Sequence, residues 1–471
     1  MFLGHPPDEK GPVVRQKFSL AISVVLRCRP AALSLVLTGA LCSVPTAAWS
    51  QPPATGDADK TDVAEDANRK AANISWNPQT TFAEWKQLDK VRFIEFESKL
   101  KTAAPSEADK TLLQKHLKNQ IFGLTIEQNV DRHSIIVDNI VRAAEQAGTS
   151  PAIRDYLLEN TLKLITPLLK NQPPNVQYSL VLLAARLNIK PPKISPPTAP
   201  AQPYPASQQL LMTVLLDEQM PISARIIAAR GLERLMRDGD ISTVDKSRIG
   251  ESLAMALKQK IENPLARKWY RRRLVEALGV TGRYDETGYR PVIIDALMEV
   301  VTNPKDDWVV RSAAAKSVSQ LPLDAKINVE LVNYEIVRLL HDLTVAYNAS
   351  DKTPPSTWRW AFDDLYLTYK SASALEQNTK HWGLMHLNTP RGKQQIEDAY
   401  RKVVLPVLKP IVESQALPAL DAKVVTALAE WLKANNVADR KVTPASGDLK
   451  DPGAAPPQAA AVGAAGTPMG N

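Results

Sequence analysis

Three stretches of the chain read alike: Ala224-Arg225-Ile226-Ile227-Ala228-Ala229-Arg230-Gly231-Leu232, Ala266-Arg267-Lys268-Trp269-Tyr270-Arg271-Arg272-Arg273-Leu274 and Val310-Arg311-Ser312-Ala313-Ala314-Ala315-Lys316-Ser317-Val318. Arg225, Arg267 and Arg311 are separated by 42 and 44 residues. Counting from each, the fifth following residue is basic (Arg230, Arg272, Lys316) and the seventh is aliphatic (Leu232, Leu274, Val318). The tenth is Leu235, Ala277 or Leu321. An apolar stretch precedes each, at Leu210–Leu216, Ile249–Leu257 and Val292–Val301, followed by a short polar turn. Apolar residues at three- and four-residue steps mark a helix buried on one face. Each unit therefore reads as two helices joined by a turn. A single pair cannot bury its apolar faces, so successive pairs are expected to stack on a continuous core.

This pattern resembles the HEAT repeat: a helix, a turn, and a second helix opening with Val-Arg-x-x-Ala, at a period of roughly 40–47 residues. The resemblance implies an all-α chain, an α-α superhelix of the HEAT-like solenoid kind, over residues 207–322. Armadillo-like and other helical-pair arrays fit the same pattern. It also implies that Arg225, Arg267 and Arg311 are structural, bridging to Asp217, Glu262 and Asp306 or Asp307. A looser copy fills residues 148–190: Tyr156–Leu169, then Val176-Gln177 leading to Leu180, Ala184 and Leu187. Gln177 stands there in place of the arginine. Residues 323–440 read as degenerate helical repeats, with Trp358-Arg359 opening one second helix and Val424–Trp431 in another.

Around this array the chain changes character. Residues 76–147 read as an N-terminal helical cap, with Phe82, Trp85, Leu88, Phe93, Phe96 and Leu100 at helical spacing. Ser106-Glu107-Ala108-Asp109 resembles a capping box, and Pro151, Pro221, Pro264 and Pro291 stand where first helical turns belong. No alternating strand pattern of useful length is present. Residues 191–206 carry seven prolines in sixteen positions and read as an extended, polyproline-like crossover. Residues 51–75 are polar and acid-rich, a flexible spacer, and residues 441–471 are Ala/Gly/Pro-rich, a disordered tail.

Residues 1–50 read as a signal peptide. A basic flank (Lys10, Arg15, Lys17, Arg27, Arg29) precedes an apolar run from Ala31 to Val44 and the small-x-small site Ala48-Trp49-Ser50. The expectation is export to the periplasm or the extracellular space, with no transmembrane segment after cleavage. Both cysteines, Cys28 and Cys42, lie in this leader. Cleavage would leave no thiol for catalysis, redox exchange or zinc. It would also remove five basic and two acidic groups, lowering the net charge from +8 to +5.

The 44% hydrophobic and 23% charged composition is that of a globular protein. Phosphate-binding loops, GxSxG, HExxH and dinucleotide fingerprints are all missing. No catalytic residue, cofactor or metal is expected. His381 and His386 have the wrong spacing for one helical face. Asp238-Gly239-Asp240-Ile241-Ser242 imitates a calcium loop but lacks its glycine and terminal glutamate, and reads as a helix-capping turn. The densest feature is residues 267–273, where five of seven side chains are basic around Trp269 and Tyr270. Like charges one turn apart repel, and cations oppose the dipole of a helix N-terminus. Arg230, Lys268, Trp269, Arg271, Arg272 and Lys316 are therefore the candidate partner-binding residues. Trp358, Trp360, Phe362, Tyr366 and Tyr369 form an aromatic-rich helix, mostly core, with room for a groove. The functional expectation is a non-enzymatic exported scaffold that binds a protein partner through its concave surface. An anionic envelope polymer held by the basic helix is an alternative. An enzyme on a HEAT-like frame, of the DNA-alkylation glycosylase kind, is another, although no nucleic acid partner is expected.

Overall fold

A computed structural model describes residues 76–450, apart from 103–104, 148–149, 194, 196–197, 287–289, 371–382, 388–391 and 415–416 and the side chains of 88–94. The signal peptide, the spacer, Cys28, Cys42, His381 and residues 451–471 lie outside the described residues. What is described is mostly helical, and no helix in it is long and apolar enough to cross a membrane.

The helices begin and end where local chemistry directs. α1 (Phe82–Lys99) and α2 (Glu107–Gly123) open on capping boxes, Thr81 with Glu84 and Ser106 with Asp109. These satisfy backbone donors that have no partner in the first turn. α3 (His133–Gln146), α4 (Pro151–Leu168) and α5 (Pro174–Arg186) follow. Next come α6 (Ser207–Leu216), α7 (Ile222–Asp238), α8 (Thr243–Leu257) and α9 (Pro264–Gly279). α10 (Val292–Thr302), α11 (Trp308–Gln320), α12 (Val329–Ala349) and α13 (Pro355–Tyr369) complete the central run. α14 (Lys393–Ala399) passes through a π-helical turn into α15 (Leu405–Glu413), and α16 (Ala422–Ala434) closes the series. Pro151 and Pro264 are first helical residues, whereas Pro221 and Pro291 stand just before their helices. Ser242 caps α8, accepting from the Asp245 amide at 3.0 Å, so the calcium-like stretch is a capping turn.

Packing alternates. α6, α8, α10 and α12 pack on one another in sequence, and so do α5, α7, α9, α11 and α13. Each helix also packs on its hairpin partner across the turn. The N-terminal helices join the same scheme, with α2 on α4 and α3 on α5. The faces between the two rows are apolar and almost fully buried; Leu215, Leu232, Leu253, Leu274, Leu297 and Leu339 are at most 1% exposed. Burying each such side chain contributes roughly 1.5–3 kcal/mol before chain entropy is counted. Close crossings are made by small residues. A Cβ on Gly231 of α7 would stand 2.8 Å from the Ala185 Cβ, so α7 and α5 touch there only because the side chain is missing.

Two expectations are corrected. The proline-rich stretch does not simply cross over: Asn188–Lys190 and Gln202–Pro203 pair as a short antiparallel hairpin, extended by a bridge between Lys193 and Ala199. Its edges are free, so prolines cost no ladder hydrogen bonds there. The hairpin is anchored by side chains: Asn188 Nδ2 donates to Glu145 at 2.7 Å, and Arg234 Nη2 donates to Asn188 Oδ1. The second correction concerns the tail, which begins with three buried side chains, Val442, Thr443 and Ser446. Val442 is fully buried, the Asn328 amide donates to its carbonyl at 2.7 Å, and Ser446 Oγ donates to Asp295 Oδ1 at 2.6 Å. Glu335 of α12, 1% exposed, is held between Arg338 and Arg440, the latter at 2.6 Å. One apolar side chain and one buried charge cluster thus bind a segment whose composition looks structureless. Burial of Asp295 raises its pKa.

Candidate functional site

The arginine motif has a defined job. Arg225 Nε donates to the Leu215 carbonyl at 3.3 Å, and Arg311 Nε donates to the Val301 carbonyl at 3.0 Å. Both carbonyls lie at the C-terminal end of the preceding helix, where acceptors lack helical partners and the dipole favours a cation. Gln177 does the same without charge, its Nε2 donating to the Leu169 carbonyl at 2.8 Å. In the middle pair the residue that does this is Arg271, not Arg267: Arg271 Nη1 donates to the Leu257 carbonyl at 2.5 Å, while Arg267 is exposed. α9 starts a full turn earlier relative to its arginine than α7 and α11 do. Arg267 and Arg271 lie one turn apart, so sequence spacing alone picks the wrong one. The acid partners expected for Arg225 and Arg311 are not the ones found. Arg225 also donates to Gln259 and, at 3.0 Å, to the Tyr270 hydroxyl, and its guanidinium lies 4.6 Å from the Tyr270 ring centroid. Arg311 lies 4.9 Å from the Trp308 ring, and burial pulls its pKa down to about 10.

The basic run of α9 is neutralised from neighbouring helices. Arg271 meets Asp306 at 2.7 Å, and Lys268 meets Asp307 at 3.1 Å, both acids at the start of α11. Arg272 meets Glu276 and Asp364 at 3.0 Å each, and Asp364 also receives Lys316. Arg273 meets Glu233 at 3.2 Å and Glu276 at 3.0 Å. These are ties between helices 35 to 92 residues apart as well as within α9. Four of the candidate cations, Lys268, Arg271, Arg272 and Lys316, are thereby committed to acids of the same chain. Arg230 is exposed and joins none of these pairs.

The remaining candidate, Trp269, is 38% exposed and meets Trp360 of α13, 43% exposed, edge to face with ring centroids 5.7 Å apart. The contact spans α11, which both α9 and α13 flank. From Val309 to Ser319 every α11 residue except Lys316 is buried, and most are Ala, Ser or Val. Small side chains let the flanking helices close in until their long ones meet above. Leu265, one turn before Trp269 and 65% exposed, extends the apolar patch. Lys268 lies 5.8 Å from the Trp269 ring, and Arg272 lies 5.7 Å from that of Trp360. The result is an open aromatic pair with paired charges at its rim. Of the aromatic-rich helix, Trp358, Phe362 and Tyr369 are core and Tyr366 is half-buried.

Sequence reasoning missed the meeting of Trp269 with Trp360 and the anchoring role of Asp364. One signal was present: Leu265 and Trp269 share a helix face that omits the buried Tyr270, Leu274 and Leu278. His386 is exposed on a short turn. Among the described residues, no three His, Cys, Asp or Glu side chains cluster as a metal would need. Family models, curated proteins and solved structures were all compared with this chain, and none matches it.

Proposed function

We propose that the chain is an exported, non-enzymatic helical-repeat scaffold, a HEAT-like solenoid whose second helices present a docking face for a protein partner. The observation that carries this reading is the Trp269–Trp360 pair. Two large aromatic side chains stay in the open although the helices bearing them are otherwise well packed. Tryptophan concentrates binding energy at interfaces, where an apolar anchor from the partner excludes water around it. The rim suits that role. Its charges are already paired, so an incoming surface need not strip solvent from lone cations. The recurring plug of a helix C-terminus by Gln177, Arg225, Arg271 and Arg311 supports the repeat reading, because one device closes four successive hairpins.

The test is affinity capture from the protein's own cell envelope with mass spectrometry, run in parallel on the wild type and on Trp269→Ser with Trp360→Ser. The expected result is a partner held by the wild type and lost from the variant, with unchanged circular dichroism. A partner retained by the variant would overturn the docking face.

A further inference from the structure

The segment after α16 lies across the N-terminal halves of α10 and α12 as a bound peptide would. Asn328, which caps α12, reads its backbone: the Asn328 amide donates to the Val442 carbonyl at 2.7 Å, and Nδ2 donates to the Asp439 carbonyl at 3.4 Å. Three side chains then dock. Arg440 reaches the buried carboxylate of Glu335 at 2.6 Å, Val442 joins the apolar core, and Ser446 Oγ donates to Asp295 Oδ1 at 2.6 Å. Lys441, Pro444 and Ala445 between them are exposed. The segment folds back on itself, with the Ser446 amide donating to the Thr443 carbonyl at 3.0 Å and the Leu449 amide to the Arg440 carbonyl at 2.9 Å. Little of this fastening is apolar. Val442 is its one fully buried apolar side chain, whereas α10 alone supplies Ile293, Ile294, Leu297, Met298 and Val301. Glu335 keeps Arg338 of its own helix when Arg440 leaves. Burial holds Asp295 above the usual carboxylate range, so departure of Ser446 gives that carboxylate back its water. Segments with few apolar contacts open at a lower free energy than the core does.

We infer that residues 439–449 are a displaceable strap in a peptide-docking groove, and that once the strap lifts the groove takes an extended partner segment of the same chemistry. That segment carries an arginine for Glu335, a β-branched apolar residue two positions on for the place of Val442, and a serine or threonine four further on for Asp295. A guanidinium suits the first place because it offers a buried carboxylate a planar pair of donors. Asn328 serves any sequence, since it holds only carbonyls. The strap is an autoinhibitory contact: tethered to α16, it stands over the groove at an effective concentration of about a millimolar and excludes weak competitors. The groove belongs to the first helices, so the inference does not rest on the tryptophan pair.

A fluorescein-labelled peptide of residues 438–450 tests this by anisotropy, titrated with the full chain and with the full chain carrying Val442→Asp and Ser446→Ala, changes that loosen the strap and leave the groove untouched. The peptide should bind the variant at least about tenfold more tightly than the wild type, whose strap competes. The same peptide with Arg440→Glu should bind the variant at least about tenfold more weakly, the loss of one charge-assisted contact. Equal binding to variant and wild type, no binding to a variant of unchanged circular dichroism, or indifference to Arg440→Glu overturns the proposal. Hydrogen exchange on the wild type decides the matter if the variant does not fold. The Ser446 and Leu449 amides should exchange at least about tenfold faster than those of Leu297 and Leu339. Equal protection would mean that the strap opens only with the whole fold, and would also overturn the proposal.

Discussion

α9 and α11 are neighbours that open on the same sequence pattern and end in opposite surroundings. α11 is wrapped on nearly all sides, and its short side chains let others pass over it. α9 keeps Leu265, Arg267 and Trp269 at the surface and spends four cations on acids of α7, α11, α13 and its own length. The contrast shows that a shared motif places a helix in the array without deciding which of its faces stays open. Side-chain size does that on α11, and charge pairing does it on α9.

The sharpest way to break this comparison is Arg271→Ala. It would leave Asp306, 8% exposed, without its guanidinium and the Leu257 carbonyl without its donor. The expected loss is about 3 kcal/mol in urea unfolding. A loss under about 0.5 kcal/mol would return the structural role to Arg267. Ala314→Leu comes next. Overfilling the closed space around α11 should cost about 2 kcal/mol and push α13 away from α9. Quenching of tryptophan fluorescence by iodide should rise as the aromatic pair opens. A neutral outcome would mean that small side chains on α11 are not what lets its neighbours close.

A smaller effect is expected where α9 and α11 exit. Tyr284 donates to Asp324 at 2.9 Å, and burial, then Asp324, push its pKa up to about 12 from 10.0. A phenol held above its unfolded value contributes stability that is full below pH 10 and is lost as pH rises toward 12. Tyr284→Phe should therefore give a shallower fall in unfolding midpoint across that window; an identical fall would remove this tie. Smallest of all is Arg267→Ala, expected within about 0.5 kcal/mol of wild type because the side chain is exposed. Together with Arg271→Ala it measures the one-turn offset of the middle hairpin.

Much of the helical order was legible in the chain. Periodicity at three and four residues, the Ser106 capping box and prolines at helix starts are local features, and local features survive without a tertiary context. The substitution of Gln177 for arginine was legible too, because its place in the pattern is the same. The candidate site was legible only in part. Trp269 stood out, but Trp360 lies 91 residues away and no local rule joins them. The basic run looked like an anion site because, Glu276 apart, the acids that neutralise it are 35 or more residues away in the chain. The packed part of the tail was hidden by composition, since Val442 and Ser446 are single residues in a stretch of weak formers.

The sequence by itself determined that this protein is built of helices in pairs, where several of them start, and that a side chain early in the second helix has a recurring duty. These follow from forces acting within a few residues. Only the tertiary structure decided which arginine performs that duty in the middle pair, which cations are spent, and which aromatics remain open. Two side chains one turn apart are equivalent to a periodicity. They become different only when one of them reaches the Leu257 carbonyl and Asp306 and the other reaches water.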